Sequence, residues 1–243
     1  METMTPAIPA DALRKVPIFA NLPDTSMDML TSVVTRRQVT RGTTVMAAGG
    51  PIDSLYVVLS GRLKVMMSDS EGKEVILTLL GAGEVFGEMG IIDDSPRSAS
   101  VVALEACELL CVHRTDFDRC LADNFEMAMA IMRGLVKRLR EADRKINSLA
   151  LLDVYGRVAR LLIDMSEVVG GQREVTKKLP KQDIAKMVGA SREMVSRVMK
   201  DLRMGGFIDK RGSSIILRES IMQSEAGHVL PGLGLKRPAH HQA

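Results

Sequence analysis

The chain has 243 residues, of which 46% are hydrophobic, and a formal net charge of +3 at pH 7. This length can bury one large hydrophobic core or two modest ones. No apolar run approaches the ~20 residues that span a bilayer, and the first ten residues lack the basic start and apolar centre of a signal peptide. We therefore expect a cytoplasmic protein with no membrane partner.

The N-terminal half predicts two short helices followed by a β-domain. Residues 1–10 have the composition of a disordered segment, and helices are predicted over Asp11–Phe19 and Pro23–Val34. Short apolar stretches between turn signals then predict six or more strands. These stretches are Thr43–Ala47, Ser54–Ser60, Arg62–Ser68, Val75–Leu80, Ser98–Glu105 and Glu108–His113. The pattern is typical of a β-barrel or β-sandwich.

A glycine-rich stretch lies between two of these strands. Its three glycines, from Gly83 to Gly90, let backbone N–H groups point into one concavity, and Arg97 and Ser98 add a charged and a neutral donor. Glu88 would repel a phosphate, so we expect it to accept hydrogen bonds from sugar hydroxyls and to pair with Arg97. The stretch predicts a nucleotide site, although strand turns with a solvated ion pair would explain the glycines equally well.

The cysteines lack the spacing of a metal centre. Cys107, Cys111 and Cys120 form no CxxC pair and have no histidine at a zinc-ligand distance along the chain. An N-terminal cysteine cluster for an iron–sulfur centre is absent as well. We expect Cys107 and Cys111 to be small buried side chains of a strand, and we expect no metal cofactor.

A long helix is predicted from Asn124 to Leu152. Its apolar residues are alternately three and four positions apart, which is a heptad seam that requires a partner helix. These residues are Met132, Leu135, Leu139, Ala142, Ile146 and Leu149. The seam can instead pack on the chain's own β-domain, but its charged flanks favour contact between two copies.

The C-terminal part carries the positive charge. Between Gln172 and Gly212 the chain has 11 basic and five acidic side chains, a net charge of +6 that leaves −3 for the remainder. Such asymmetry predicts a domain that binds a polyanion. The segment Asp153–Gly156, between the long helix and this basic part, is predicted to act as a hinge.

A helix-turn-helix pattern lies within this basic segment. Pro180 suits the first turn of one helix, Gly189 the bend, and Ser191 the N-cap of a second helix. A β-hairpin wing is predicted from Gly205–Ile208 to Ile215–Leu217. The apolar residues of the two helices that should form their core are Ile184, Ala185, Val188, Val195, Val198 and Leu202.

The second helix is the candidate DNA-reading element. Its first two turns carry polar side chains away from the apolar side, where a recognition helix meets base edges. Arginine can contact guanine O6 and N7, and glutamate can accept from cytosine N4. The side chains placed for bases are Arg192, Glu193, Ser196 and Arg197, and those placed for phosphates are Lys181, Gln182 and Ser191. A solvated charged face is the alternative.

This order of parts resembles the cyclic-AMP receptor protein and fumarate-nitrate regulator family of bacterial transcription factors. The resemblance covers about Val16 to Leu217 and rests on four motifs that occur in the family's order. They are Phe86-Gly87-Glu88-Met89, Arg97-Ser98-Ala99, Leu152-Asp153-Val154 and the segment from Gly189 to Arg197. The oxygen-sensing branch of the family is disfavoured because its iron–sulfur cysteines are missing.

The resemblance implies an α+β fold with an N-terminal jelly roll. The implied parts are a disordered N-terminus (1–10), a cyclic-nucleotide-binding domain (11–123), a long dimerisation helix (124–152), a winged helix-turn-helix (153–223) and a disordered tail (224–243). Partners would be double-stranded DNA with a palindromic TGTGA-like operator, a second copy of the chain, and RNA polymerase. A nucleotide-processing enzyme is the competing class, but no nucleophile with a neighbouring base is visible, and Asp93-Asp94 lacks further metal ligands.

The family's ligand contacts map onto the glycine-rich stretch. By the resemblance, Gly87 and Ala99 offer backbone donors, and Glu88 takes the ribose 2′-hydroxyl. Arg97 and Ser98 hold the cyclic phosphate. Met89 belongs to the same ligand-binding motif.

One departure from the family's pattern concerns the base. The adenine-reading pair of the family, threonine then serine, falls on Ala142 and Asp143. Alanine makes no polar contact, whereas the aspartate oxygens match the N1–H and N2–H₂ donors of guanine. Arg140 and Asp143 also resemble a short motif of cyclic-di-GMP receptors, and an intrahelical ion pair is the alternative. The expected effector is cyclic AMP by resemblance, or cyclic di-GMP or cyclic GMP by Asp143; independence from nucleotide, or inhibition by it, is the competing hypothesis.

Overall fold

The computed structural model describes residues 10–14, 16–122, 124–177, 179–212 and 214–223. Except for Ala10, the predicted disordered ends, 1–10 and 224–243, lie outside these ranges. The chain forms two compact units, Met1–Ala142 and Asp143–Ala243, which are described separately. No helix in the described ranges has the length and apolar character needed to cross a bilayer.

The N-terminal unit contains two antiparallel four-stranded sheets with flanking helices. The strand orders are β1-β8-β3-β6 and β2-β7-β4-β5. The strands are β1 (Thr35–Val39), β2 (Thr44–Met46), β3 (Ser54–Ser60), β4 (Leu63–Ser68), β5 (Glu74–Leu80), β6 (Val85–Phe86), β7 (Ser100–Ala103) and β8 (Cys107–His113). Its helices are α1 (Ala10–Arg14), α2 (Asp24–Val33), α3 (Glu88–Asp93) and α4 (Arg114–Ala122), together with α5 (Phe125–Leu151) as far as Ala142; the residues of α5 from Asp143 onward belong to the second unit. Eight strands in two facing sheets form a jelly roll, which confirms the expected fold class.

The predicted strands are present, and two further strands and a helix were not predicted. Strand β1 has the sequence TRRQV, in which only Val39 is buried, so it lacks an apolar pattern although it pairs with β8 along its length. Strand β6 has only two residues, and α3 has six. Helix α1 ends at Arg14, earlier than the sequence predicted.

Strand β8 joins the two hydrophobic clusters of this unit. Leu109 packs between the sheets, whereas its neighbour Leu110 packs against the helices on the outer face. Successive strand residues point to opposite faces, so both faces of β8 are covered by apolar side chains. This explains the continuous apolar run at this strand, and it places Cys107 among buried residues, where burial raises the pKa of its thiol.

The C-terminal unit is a winged helix-turn-helix. Its elements are α6 (Val154–Asp164), β9 (Glu167–Val169), β10 (Gln172–Val175), α7 (Lys181–Val188), α8 (Arg192–Met204), β11 (Ile208–Arg211), β12 (Ser214–Leu217) and α9 (Glu219–Gln223). The strands form one antiparallel sheet in the order β11-β12-β10-β9. The predicted wing is β11 and β12, and all six predicted core residues of α7 and α8 belong to one buried cluster.

Two capping features form the turn between α7 and α8. Gly189 has a φ of +64° at the C-cap of α7, a conformation that side chains with a Cβ rarely adopt. Ser191 then caps α8, because its Oγ accepts a hydrogen bond of 3.1 Å from the backbone N–H of Met194. Both capping features agree with the sequence prediction.

Gly189→Ala should lower the free energy of unfolding of the C-terminal unit by about 1–2 kcal/mol, because an L side chain is strained in the left-handed conformation. The nearest atom to a Cβ there is Leu149 Cδ2 at 3.8 Å, so the cost comes from the backbone rather than from a clash. The matched control is Gly134→Ala in the interior of α5, where a Cβ meets nothing within 4 Å. It should stabilise the N-terminal unit by about 0.5–1 kcal/mol. Calorimetric unfolding measures both, and stabilisation by Gly189→Ala would contradict the assignment.

Candidate nucleotide site and DNA interface

The turn between β6 and α3 requires glycine. Gly87 has a φ of +87°, and a Cβ at this position would lie 3.0 Å from Nη1 of Arg97 and 3.3 Å from the carbonyl oxygen of Ser54. The close approach lets Nη1 of Arg97 donate to the carbonyl oxygen of Gly87. The glycine therefore holds the start of α3 against the Arg97 side chain.

Glu88 is a buried carboxylate with a partner on α5. The residue is 3% exposed, and its Oε1 accepts a hydrogen bond of 2.5 Å from Nη1 of Arg138. The other terminal nitrogen of Arg138 donates to the carbonyl oxygen of Val85. Glu88 Oε2 is also buried and has no hydrogen-bond partner among the described residues. The predicted pairing of Glu88 with Arg97 is wrong, because Arg138 takes that place.

Arg97 is held by backbone carbonyls. Its side chain is 2% exposed, its Nε donates to the carbonyl oxygen of Pro51 at 2.8 Å, and its two terminal nitrogens donate to those of Gly87 and Ser54. A guanidinium has five N–H groups, so two remain after these three bonds. Arg97 thus fastens three segments of the unit together, and only two of its N–H groups remain for a phosphate.

The remaining predicted ligand residues are near this centre in sequence but differ in exposure. Met89 is 49% exposed, Ser98 is exposed, and Ala99 is buried. Backbone groups, rather than the side chain, are therefore what Ala99 can offer.

Three predicted base-reading residues lie together on α5. Arg140, Ala142 and Asp143 are all exposed. The side chains of Arg140 and Asp143 have neither a hydrogen bond nor an ion pair to any residue that the structure describes. The simple intrahelical ion pair is thus not formed, and both charged groups are accessible.

A cavity of about 520 Å³ adjoins Glu88 within the N-terminal unit. Its walls include Ile18, Gly83, Ile131 and Arg138. Among the predicted ligand residues its lining includes Glu88 and not Arg97, so the cavity adjoins the end of the site that was predicted to bind ribose. No group of three histidine, cysteine, aspartate or glutamate side chains within the described ranges is arranged to hold a metal ion.

Sequence reasoning missed Arg138. The residue lies four positions before Ala142, so the two share one face of α5. A basic residue one turn before the base-reading pair was an available signal, but several other basic residues flank the same seam. The structure distinguishes Arg138 from the other basic residues of α5 by its contact with Glu88.

The predicted DNA-contacting residues lie at the surface of the C-terminal unit. Arg192, Glu193 and Arg197 are exposed on α8, while Val195 and Val198 of the same helix are buried. Ser196, also on α8, is partly buried, and Lys181 and Gln182 are exposed at the first turn of α7. The Ser191 hydroxyl accepts its capping bond, which leaves its own proton free to donate to a phosphate. The arrangement is a charged helix face with an apolar back.

Family models match both units. A model described as a cyclic nucleotide-binding domain matches residues 36–124, and one described as a Crp-like helix-turn-helix domain matches residues 156–220. Over 214 residues the chain is 32% identical to the CRP-like cAMP-activated global transcriptional regulator of Mycobacterium tuberculosis, covering 86% of this chain and 96% of that protein. The chain belongs to the CRP/FNR family. It is a DNA-binding transcription regulator with a cyclic nucleotide-binding domain.

Other members of the CRP/FNR family differ in the effector that their names record. The cAMP-activated global transcriptional regulator CRP of Haemophilus influenzae is 36% identical over 178 residues, which cover 72% of this chain and 80% of that protein. The solved structure of the c-di-GMP responsive global regulator CLP of Xanthomonas campestris is 29% identical, with a TM-score of 0.70, and covers 80% of this chain and 99% of that one. Family membership therefore leaves the choice of nucleotide to the residues of the site.

The two ends of the Glu88–Arg138 pair should respond differently to mutation. Arg138→Met leaves the buried carboxylate without its partner and should lower the free energy of unfolding of the N-terminal unit by about 2 kcal/mol. Glu88→Gln leaves an arginine side chain that is 31% exposed and can be hydrated, so its cost should be below about 1 kcal/mol. Arg133→Met, at an exposed position of the same helix, is the control and should change stability by less than about 0.5 kcal/mol. Urea unfolding measures the three values, and equal losses for Arg138→Met and Glu88→Gln would contradict the asymmetry.

Proposed function

We propose that this regulator acts as a homodimer that binds a palindromic TGTGA-like operator when a cyclic nucleotide occupies the site around Glu88 and Arg97. The observation that carries the proposal is the half-satisfied Glu88 carboxylate. Arg138 uses Oε1, and the buried Oε2 lacks a donor in the described part of the chain. A ribose hydroxyl is a donor of the size and polarity that this atom requires.

The same carboxylate supplies a route from ligand to helix α5. A hydroxyl bound to Oε2 shares the negative charge of Glu88 and so changes the strength of its bond to Arg138. Arg138 belongs to α5, whose packing would then differ between the free and the bound protein. A ligand that interacts differently with two packings shifts the population between them, and DNA must in turn tighten nucleotide binding.

Dimerisation through α5 is supported by its uncovered apolar seam. Met132, Leu139, Ile146 and Leu149 are 46%, 63%, 65% and 55% exposed in the single chain. They repeat at heptad spacing, and a second copy of the helix would bury them. We retain the functional division into a nucleotide-binding part (11–123), a dimerisation helix (124–152) and a DNA-binding part (153–223).

Leu139→Glu should convert the dimer to monomer, because it places a charge in the middle of the seam. Sedimentation equilibrium should give half the wild-type mass at the same protein concentration. Lys137→Glu, two residues away on an exposed flank, reverses a charge on the same helix and should leave the dimer intact. A dimer of unchanged stability in Leu139→Glu would show that another surface joins the copies.

Operator binding is assigned to the exposed face of α8. Arg192, Glu193, Ser196 and Arg197 would meet base edges, and Lys181, Gln182 and Ser191 would meet phosphates. Two such helices in a symmetric dimer read half-sites separated by about 34 Å, which implies a palindrome. RNA polymerase would be the further partner at promoters in the cytoplasm. We assign no enzymatic activity, consistent with relatives named as transcriptional regulators.

The base would be read from α5 beyond Arg138. Ala142 lies one turn after Arg138, and the adjacent Asp143 presents an accessible carboxylate that matches the donors of guanine. Gly87, Met89 and Ala99 would contribute to the sugar-phosphate end together with Arg97 and Ser98. Arg140 would accompany Asp143 in a guanine-reading pair, which favours cyclic di-GMP or cyclic GMP over cyclic AMP.

A second candidate is a regulator that binds DNA without nucleotide or is inhibited by it. Arg97 favours this version, since its side chain is 2% exposed, three of its five N–H groups already donate to carbonyls, and Asp53 Oδ1 lies 3.9 Å from its Nη2. A phosphate gains less from a guanidinium that is already compensated than from a free one.

Calorimetric titration with cyclic AMP, cyclic GMP and cyclic di-GMP tests these alternatives. Asp143→Thr should weaken binding of the guanine nucleotide about tenfold, the worth of one to two lost hydrogen bonds, and should change binding of cyclic AMP less. Arg144→Ala, the next position on α5, removes an exposed charge outside the predicted site and is the control. A greater loss for cyclic AMP than for the guanine nucleotides would contradict guanine reading.

The same titrations separate the two versions of the function. Three flat titrations, together with tight operator binding, would overturn nucleotide control by this site in favour of the second candidate. Footprinting that shows no palindrome, or operator affinity that is unchanged by a bound nucleotide at fixed salt, would overturn the leading proposal.

A further inference from the structure

A tyrosine at the start of α6 holds an acidic residue of the recognition helix. The Tyr155 hydroxyl donates a hydrogen bond of 2.6 Å to Oδ2 of Asp201, which lies in the second half of α8. The hydrogen bond to Asp201 and burial raise the pKa of Tyr155, while the positive charge of Arg197 acts in the opposite direction. The hydroxyl is therefore protonated at neutral pH and acts as the donor.

Asp201 has a competing partner one turn away. Arg197 precedes it by four residues on α8, and oppositely charged residues at this spacing face each other and form ion pairs. Arg197 is exposed, and no acidic side chain in the described ranges lies within ion-pair distance of it. The positive charge of Arg197 is nevertheless close enough to act on Tyr155. The Asp201 carboxylate thus bonds to α6 while an arginine lies within its reach.

We propose that Tyr155 is a positioning residue for DNA recognition, which withholds Asp201 from Arg197 and so keeps the Arg197 guanidinium available for the operator. The inference rests on the proposed role of Arg197 at base edges. Arginine reads guanine with two parallel N–H groups, and a carboxylate that occupies the same fork competes with the base. Without the Tyr155 hydroxyl, Asp201 turns to Arg197.

A purely structural role for Tyr155 makes different predictions. The bond also ties α6 to α8, and its loss would then weaken DNA binding whatever residue stands at position 201. The positioning role predicts instead that DNA binding weakens only when position 201 carries a carboxylate. The weakening should also arise from contacts with one base pair of the half-site. A double-mutant cycle separates the two roles.

The experiment uses the full chain and an operator that the wild-type protein selects from random duplexes, with no nucleotide, cyclic AMP or cyclic di-GMP present in separate arms. Fluorescence anisotropy then measures Kd in the arm of tightest binding. Tyr155→Phe should raise Kd about 1.5- to twofold, the effect of one ion pair at this helical spacing. Asp201→Asn should not raise it, and the double variant Tyr155→Phe/Asp201→Asn should match Asp201→Asn. The control Tyr155→Phe/Asp164→Asn removes an acidic charge at the end of α6 and should stay as weak as Tyr155→Phe.

The base-specific readout uses operators with single substitutions. Arg197→Ala identifies the base pair that Arg197 contacts, and the penalty for changing that pair should shrink in Tyr155→Phe and return in the double variant. Thermal unfolding of each variant verifies that the unit is folded. If Tyr155→Phe binds as the wild type does, or if the loss persists in the double variant, the inference is overturned while the proposed function stands. If the wild type selects no palindrome in any arm, the proposed function is overturned and the inference with it.

Discussion

The ion pair between Glu88 and Arg138 is the interaction on which the nucleotide-binding unit depends. A carboxylate that is 3% exposed is costly to bury without a donor, and Arg138 of α5, 50 residues later in the chain, donates a hydrogen bond to it. The pair therefore joins the glycine-rich turn to the long helix. Oε2 has no hydrogen-bond partner among the residues that the structure describes, and a hydroxyl donor would complete its hydrogen bonding. The structural contact with Arg138 and the proposed contact with the ligand thus involve the same carboxylate.

Arg97 shows why the ligand site cannot be separated from the fold. Its guanidinium donates to the carbonyl oxygens of Pro51, Ser54 and Gly87, so the residue assigned to the phosphate also closes the loop around α3. Gly87 is required for this contact, since a Cβ would crowd Nη1. Loss of binding in an Arg97 variant would therefore confound phosphate recognition with local collapse. Substitutions of Glu88 and Asp143 are better probes of ligand recognition. Glu88→Gln preserves the shape of the side chain, and Asp143 lies at the surface, where its replacement should not disturb the fold.

Local patterns predicted the parts of the fold that local chemistry determines. Gly189 and Ser191 predict the bend and the N-cap of the helix-turn-helix, and the structure has both. Strand β1 was not predicted because four of its five residues are exposed, so it lacks an apolar pattern, and because its partner β8 lies far away in the sequence. The hairpin of β9 and β10 was not predicted, although it turns at Gly170-Gly171, a dipeptide that is typical of two-residue hairpin turns. Glu88 was predicted to pair with Arg97 because their charges are opposite, whereas its partner is Arg138, which lies 50 residues later and is brought to it by the three-dimensional fold.

The acidic residues of the basic segment illustrate how a polyanion-binding face is kept available. Asp209 accepts hydrogen bonds from Arg218, which lies outside that segment, and Asp201 accepts from Tyr155, a neutral donor. Neither carboxylate then neutralises a basic side chain of α8. Glu193 differs, because it is exposed on the face assigned to bases, where a carboxylate can accept from cytosine. Because Asp201 and Asp209 accept hydrogen bonds from residues outside α8, they leave the arginines of α8 available for the proposed contacts with the operator.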